Sequence, residues 1–522
     1  MLTLVRKPVA FAFALGLNVV TAQVLRADLG VPLSPTAPVR SNGANDSGRD
    51  FMPALATDGH GHWVAVWSAN HDTGDGSGTD DDLYVARSLD AGAHWSNPVI
   101  LNANAATPNA GDYDAAIATD GQGHWVVVWS SDDSLGNTIG GDYDILVARS
   151  VDNGANWSIP VPLNSNAASD SGSDFNPSIA TDRQGHWLVA WQTEGLFGAD
   201  SDIATARSID NGATWSAPIP AKTTAATDGT SVDYEPSVAT DGQGHWLVAW
   251  WSGDSLGGTI GDDFDILVSR SGDNGASWSD VIPLNATAAS DTLTDSKPRL
   301  ASDGHGQWVA VWVTADVLAA RSIDNGANWS IPAPVYTSPA NVRAYNPSIV
   351  TDGVGNWAAI WPTVKTIPPG YFEDTQILLA RSIDGANWSS AASPPGDVGD
   401  DAEFDADTSI ATDGHGNWVA LWSSYGGLGG SIGGDLEVLT TRFGLPDCNE
   451  NLIGDPTETA FLLAPDLNFN SIPDTCELPL LPLPTTTSTA CGVGLCGAGA
   501  TMFGPTLLVG IMLLSRSKPR RA

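Results

Sequence analysis

"SVDNGANWS" occupies Ser150–Ser158, and nearly the same nine letters return as "SIDNGATWS" from Ser208 and "SIDNGANWS" from Ser322. The nonapeptide sits inside a longer phrase, "DILVARSVDNGANWSIPVPLN". Six full copies of that phrase exist, marked by Trp95, Trp157, Trp215, Trp278, Trp329 and Trp388. A second phrase precedes it. "SIATDRQGHWLVAW" at Ser178–Trp191 has seven copies, with the Asp at 58, 120, 182, 241, 303, 352 and 413. Together they make a unit of roughly 60 residues, and self-similarity at such a period points to a repeat architecture.

Each unit reads as four strands. The stretch around "PSIAT" is the first. "HWVAVW" is the second, an alternating run whose two Trp share one face at i and i+4. "DILVARS" is the third, and "WSIPVPLN" the fourth, with its Pro suited to an edge. The D-G-x-G between the first two is a hairpin turn, where Gly supplies positive φ. No stretch between Val24 and Leu445 carries a helical period. Four-stranded units in this number predict an all-β, seven-bladed β-propeller, with six blades as the alternative because the interval from Asp303 to Asp352 is short. The seventh copy stops after its third strand, at "LEVLTTRFG". The missing fourth is expected from the other end, where "VPLSPTAPVRSN" at Val31–Asn42 matches "WSIPVPLNSN" without its Trp. One blade built from both ends closes the ring and protects its edges.

Of 21 Trp, fourteen are the paired second-strand residues, six end the nonapeptide, and only Trp251 lies outside the pattern. The nonapeptide pattern S-x-D-x-G-x-x-W is the Asp box. On it the chain resembles the sialidase-like, Asp-box (BNR-repeat) β-propeller families from roughly Val31 to Gly444. The resemblance implies that the box joins the third and fourth strands on the face away from the ligand site. Its Ser and Asp would bond the turn's own backbone, its Gly take the strained dihedral, and its Trp fill the gap between blades. Asp152, Gly154 and Trp157 are therefore expected to be structural, as is the Arg repeated in every "ARS", Arg149 among them.

A ligand site is expected at the channel mouth, on the opposite face. There a second signature recurs: "RDFMP", "GDYDA", "SDFNP", "VDYEP", "TDSKP", "RAYNP" and "AEFDA". Its acids are Asp50, Asp112, Asp174, Asp233, Asp295 and Glu403, and an aromatic follows in six of seven copies. Either the acids close turns and the aromatics pack between blades, or together they make an acidic funnel that holds a cation or a sugar against aromatic faces. Blade five departs from the pattern with Ser296, Lys297 and Arg299, which marks it as the local specialisation. Three second-to-third-strand connections share the Gly-rich phrase seen in "SLGNTIGGDYD" and read as mobile surface loops. The sialidase resemblance would require three Arg around a carboxylate. Arg49, Arg299 and Arg343 are the non-repeated Arg on the expected face, and Arg299 and Arg343 join the ligand-binding set. The family's F-R-I-P motif is missing, since the comparable place reads Phe51-Met52-Pro53. No catalytic residue is assigned. A binding or display module for a glycan, surface polymer or protein is the first reading, and a sialidase-like exo-glycoside hydrolase the alternative.

The chain has 522 residues and a formal charge of −38. Such a surface repels phosphate backbones, which excludes nucleic acid as a partner. Residues 1–22 read as a signal peptide, with Arg6 and Lys7 before an apolar stretch. Residues 31–445 are the propeller. Residues 446–478 carry two acidic loops. "DCNENLIGDPTE" places Asp447, Asn449, Asn451, Asp455 and Glu458 at positions 1, 3, 5, 9 and 12, and "DLNFNSIPDTCE" repeats this with Asp466, Asn468, Asn470, Asp474 and Glu477. They resemble dockerin and EF-hand-like Ca²⁺ loops and imply weak Ca²⁺ binding. Cys448 and Cys476 could be bridged there in an oxidising compartment. Residues 479–490 are a Pro/Thr linker. Residues 491–522 carry "CGVGLCG", an apolar run and a basic end, which resembles a bacterial C-terminal sorting signal or is a plain membrane anchor. The expectation is an exported monomer on a bacterial surface or outer envelope, anchored by its C-terminal segment or released.

Overall fold

The computed structural model describes residues 31–444, except 40–47, 71–79, 103–109, 170, 226–228, 291, 368–370, 396–403 and 426–434. The signal peptide, the Ca²⁺ loops, the linker and the anchor therefore lie outside the described residues. Everything described is strand, turn or coil, in seven sheets of four strands.

Blade 1 holds β2 (Asp50–Thr57), β3 (Trp63–Ala69), β4 (Asp82–Ser88) and β5 (Val99–Ile100). Blade 2 holds β6 (Asp112–Thr119), β7 (Trp125–Ser131), β8 (Asp144–Ser150) and β9 (Val161–Pro162). Blade 3 holds β10 (Asp174–Thr181), β11 (Trp187–Glu194), β12 (Ser201–Ser208) and β13 (Ile219–Pro220). Blade 4 holds β14 (Asp233–Thr240), β15 (Trp246–Ser252), β16 (Asp265–Ser271) and β17 (Ile282–Pro283). Blade 5 holds β18 (Ser296–Ser302), β19 (Trp308–Val313), β20 (Val317–Ser322) and β21 (Ala333–Tyr336). Blade 6 holds β22 (Val342–Ala344), β23 (Ser348–Thr351), β24 (Trp357–Ile367) and β25 (Tyr371–Ser382). Blade 7 joins β26 (Asp405–Thr412), β27 (Asn417–Ser424) and β28 (Glu437–Gly444) to β1 (Val31–Pro38).

The closure is the one read from the sequence. β1 runs antiparallel to β28, from Val31 opposite Gly444 to Pro38 opposite Leu439. The short fifth interval is explained by a loop, since only Thr314–Asp316 separates β19 from β20. The count is therefore seven.

The core is not one mass but seven clusters, one at each junction between neighbouring blades. Trp63, Ala65 and Trp67 pack toward Val419 and Leu421 of blade 7. The alternate residues Val64 and Val66 meet Trp125, Val127 and Trp129 of blade 2. The second strand of each blade is thus buried on both sides, which is why its sequence is apolar at nearly every position.

The Asp box behaves as the resemblance implies. Ser150 Oγ donates to Asp152 Oδ1 at 2.8 Å, and Asp152 accepts the Asn156 amide at 2.9 Å. Those bonds, chiefly the ones from Asn156, hold the Asp152 carboxyl down at about 2. Gly154 sits at φ 72°, and a Cβ there would lie 2.9 Å from Val64 Cγ2 of blade 1. The repeated Arg also spans a junction, because Arg149 Nε donates to Asn211 O of the next box at 2.6 Å.

One expectation needs correction. In blades 1 to 4 the fourth strand is a two-residue ladder, Val161–Pro162 in blade 2, that begins beside or ends at a proline, which donates no ladder bond. β1 in blade 7 keeps eight residues, and blade 6 has isolated bridges at Leu379–Ala392 and Ser382–Trp388 instead. The Gly-rich surface loops of blades 2 and 4 form compact turns. Asp133 Oδ1 accepts from Leu135 N at 2.8 Å, and Leu135 and Ile139 pack on the blade core.

Candidate functional site

The first strand of every blade lines the axis, and each carries an irregularity that the repeat alone does not announce. In blade 1 the pairing of β2 with β3 slips between Phe51 and Ala54. The same slip lies between Tyr113 and Ala116, Phe175 and Ser178, Tyr234 and Ser237, Ser296 and Arg299, and Ala406 and Ser409. In blade 6 the strand is interrupted outright between β22 and β23. At each break one non-glycine residue takes a left-handed backbone: Met52, Asp114, Asn176, Glu235, Lys297, Asn346 and Asp407, with φ from 31° to 56°. A bulge of this kind re-aims a side chain. All seven line one axial cavity of about 570 Å³.

Two positions deeper, six blades present only Ala54, Ala116, Ser178, Ser237, Ser348 and Ser409. The seventh presents Arg299, so one large cation reaches into a ring of small side chains. Ser178 and Ser237 Oγ accept the Val238 and Leu300 amides of the following blade, at 3.1 and 3.0 Å. Those bonds fix neighbouring inner strands to each other around the axis.

The charges of the cavity are coupled. Lys297 Nζ meets Glu235 Oε2 at 2.8 Å and Oε1 at 2.9 Å, bridging blades 5 and 4. Burial pushes the Asp114 carboxyl up to about 6, with Glu235 and Asp407 adding to the rise and Lys297 and Arg299 opposing it. Burial also raises Asp407, against the Met52 backbone bond, Lys297 and the Asn346 side chain. Burial weakens the hold of Arg299 on its proton, and Glu235 and Asp114 oppose that effect without cancelling it. The floor of the mouth therefore holds three acids and two cations on four of the seven inner strands, with Asn176 and Asn346 between them.

The acids expected at the mouth stand elsewhere. Asp50, Asp112, Asp174, Asp233 and Asp295 are buried and do not line the cavity. Asp50 accepts from Trp67 Nε1 at 2.9 Å. Asp112 accepts from Trp129 Nε1 and from Asn102 Nδ2, both at 2.7 Å. Asp295 accepts from Asn285 Nδ2 at 2.7 Å, and Asp233 from the Ser252 hydroxyl. Asp112 and Asp295 thus tie one blade to the next, while Asp50 and Asp233 brace the first and second strands of their own blades. The residue two places on, turned by the bulge, is the one that faces the axis. Glu403 lies outside the described residues. Of the Arg, only Arg299 reaches the cavity. Arg343 is exposed on β22, and Arg49 stands on the rim, 5.5 Å over the Phe51 ring. A three-Arg carboxylate clamp is not assembled.

The signal for the missed residues was present. The seven positions read Met, Asp, Asn, Glu, Lys, Asn and Asp, a column that changes chemistry from blade to blade. Asn and Asp are the side chains most tolerant of a left-handed backbone.

The aromatics that precede these residues form the rim and are half-buried. Phe51, Tyr113, Tyr143 and Phe175 run in a row with centroids 6.3, 6.3 and 5.0 Å apart. Tyr234, Trp251 and Phe264 form a second group on blade 4, with centroids 4.9 to 6.2 Å apart. Blade 5, with Ser296, leaves the gap beside the two cations.

Residues 123–357 match the family described as the BNR repeat-like domain. Among solved structures the chain is similar to a Hadza microbial sialidase, at 14% identity and TM-score 0.42, over 73% of this chain and 76% of that one. It is also similar to the NanB sialidase of Streptococcus pneumoniae, at 13% identity and TM-score 0.38, over 80% and 71%. The α-L-arabinanase of Penicillium chrysogenum gives 14% identity and TM-score 0.43, over 63% and 93%. No curated protein matches the chain.

Proposed function

We propose that the axial cavity is a carbohydrate-binding site and that the protein is an exported surface module holding a glycan there. The observation that carries this reading is the convergence of seven left-handed residues on one cavity. Non-glycine residues in that conformation cost about 1–3 kcal/mol each and persist where the surrounding structure enforces them. Here they gather carboxylates that accept from sugar hydroxyls, and Lys297, Arg299 and two amides that donate to them. The aromatic rim offers apolar faces to sugar C–H groups. Glycan-array binding, followed by calorimetry on Arg299→Ala and Asp114→Asn, tests the reading. Binding that weakens about tenfold or more in either variant supports it. Binding unchanged in both refutes it.

A glycoside hydrolase is the second reading, and one observation favours it. Asp114 keeps its proton up to about pH 6, while its neighbour Glu235 is ion-paired with Lys297. A carboxyl that keeps its proton into this range suits a general acid. Release of fluorophore from sialosides and common aryl glycosides, lost in Asp114→Asn, would establish the enzyme; a silent panel beside strong array binding removes it. The C-terminal acidic loops are proposed to take Ca²⁺ weakly. Heat of Ca²⁺ uptake should vanish in the Asp447→Ala, Asp466→Ala double variant.

A further inference from the structure

The row Phe51–Tyr113–Tyr143–Phe175 is more than junction packing. The second-strand Trp of blades 1 to 3, Trp63, Trp125 and Trp187 among them, are fully buried in the junctions, whereas these four rings are half-buried. Three of them immediately precede the cavity residues Met52, Asp114 and Asn176. The fourth, Tyr143, sits farther out and connects Tyr113 with Phe175. The row therefore starts on the rim and continues across three blades.

Its members are individually provided for. Gly111 makes room for Tyr113, since a Cβ there would lie 2.5 Å from the ring's Cε2. Tyr113 donates its hydroxyl to Asp81 Oδ2 at 2.7 Å, and Arg49 stands 3.9 Å from Asp81 Oδ1 while covering the Phe51 ring. Polar groups thus flank the Phe51–Tyr113 end of an apolar strip. Successive rings are tilted by 38°, 48° and 40° to one another, so each presents its own face and not one common plane. Repeated ring faces with hydrogen-bonding groups beside them match successive sugar units, whose C–H faces seek the electron-rich faces of aromatic rings. Asp81 at this edge and the net charge of −38 disfavour an anionic polymer.

We propose that Phe51, Tyr113, Tyr143 and Phe175 form a platform on which a neutral, linear oligosaccharide lies, with its end in the axial cavity. This rests on the cavity being a carbohydrate site, and it names the ligand as a chain and not a single sugar.

Calorimetry with cello-, xylo-, manno- and arabino-oligosaccharides, from monosaccharide to hexasaccharide, tests it. At least one series should bind more tightly by roughly two- to tenfold for each unit added over the platform, and then level off. Tyr143→Ala and Phe175→Ala should flatten that rise, while Tyr143→Phe and Phe175→Tyr, which keep the ring, should retain it. The platform is refuted if no series binds, if affinity ignores length, or if the rise survives in the double alanine variant. Should the alanine variants unfold, saturation-transfer NMR on the native protein decides. Transfer to several consecutive units supports the platform, and transfer to one terminal unit overturns it. Failures of the two readings separate. A monosaccharide that binds with no gain on lengthening defeats the platform and leaves the cavity. A gain with length that ignores Arg299→Ala and Asp114→Asn supports the platform and defeats the cavity.

Discussion

Single residues in this propeller divide into those every blade needs and those only one blade has. Gly154 belongs to the first kind, through both its φ of 72° and its closeness to Val64. Gly154→Ala should cost about 2 kcal/mol or more, read as a lower urea midpoint, and more than Gly136→Ala, whose Cβ meets open space at a similar φ. Asp112 shows what burial does to an acid. Its carboxyl is pushed from an ordinary 3.8 to about 8, with Asp82 and Asp133 contributing after burial itself. An acid whose folded pKa is raised contributes stability that is complete below its unfolded pKa and is lost as pH rises through the folded one. Stability should therefore fall between about pH 4 and pH 8 by a component absent from Asp112→Asn. Denaturation of both proteins across that range reads the difference, and parallel curves would show that Asp112 does not titrate there. The sequence displayed Asp112 as one of a column of acids, and it was natural to place that column around a ligand. What the letters did not display was the bulge. It is a property of pairing between strands, and it hands the axial position to Asp114.

At the scale of elements, the second strands were the most legible. Their Trp pair and apolar filling follow from being covered on both sides. Trp125→Ala should cost about 3–5 kcal/mol, whereas Val161→Thr on the exposed β9 should change stability by less than about 0.5 kcal/mol. Equal effects on the denaturation midpoint would contradict this division of labour. The fourth strands were less legible, because "WSIPVPLN" looks extended throughout, yet its prolines leave only a two-residue ladder. Blade 6 shows the limit from the other side. Its copy "RAYNP" resembles its siblings, but there the inner strand is interrupted between Ala344 and Ser348. The column Ala/Ser against Arg299 was only half visible. Arg299 stood out as a departure in blade five, while the smallness of its six counterparts gained meaning only when the strands were arranged around one axis.

For the whole molecule, closure decides everything else. The pairing of β1 with β28 supplies the fourth strand of blade 7 and covers what would otherwise be an open edge. Removing residues 31–38 should lower the thermal midpoint and promote self-association on sizing columns; a shortened chain that stays monomeric with an unchanged midpoint would refute the role given to β1. Closure was readable because the two halves of one phrase lie at opposite ends of the repeat array. The use of the ring was not, since the seven residues that meet at the axis are roughly 60 positions apart and no one letter is common to them all. Whether that meeting point holds a ligand is answered most directly by a crystal structure with the tightest-binding array glycan. Sugar density in contact with Asp114, Glu235 and Arg299 is the expected result. Density confined to the Asp-box face, with the axial cavity bare, would contradict it.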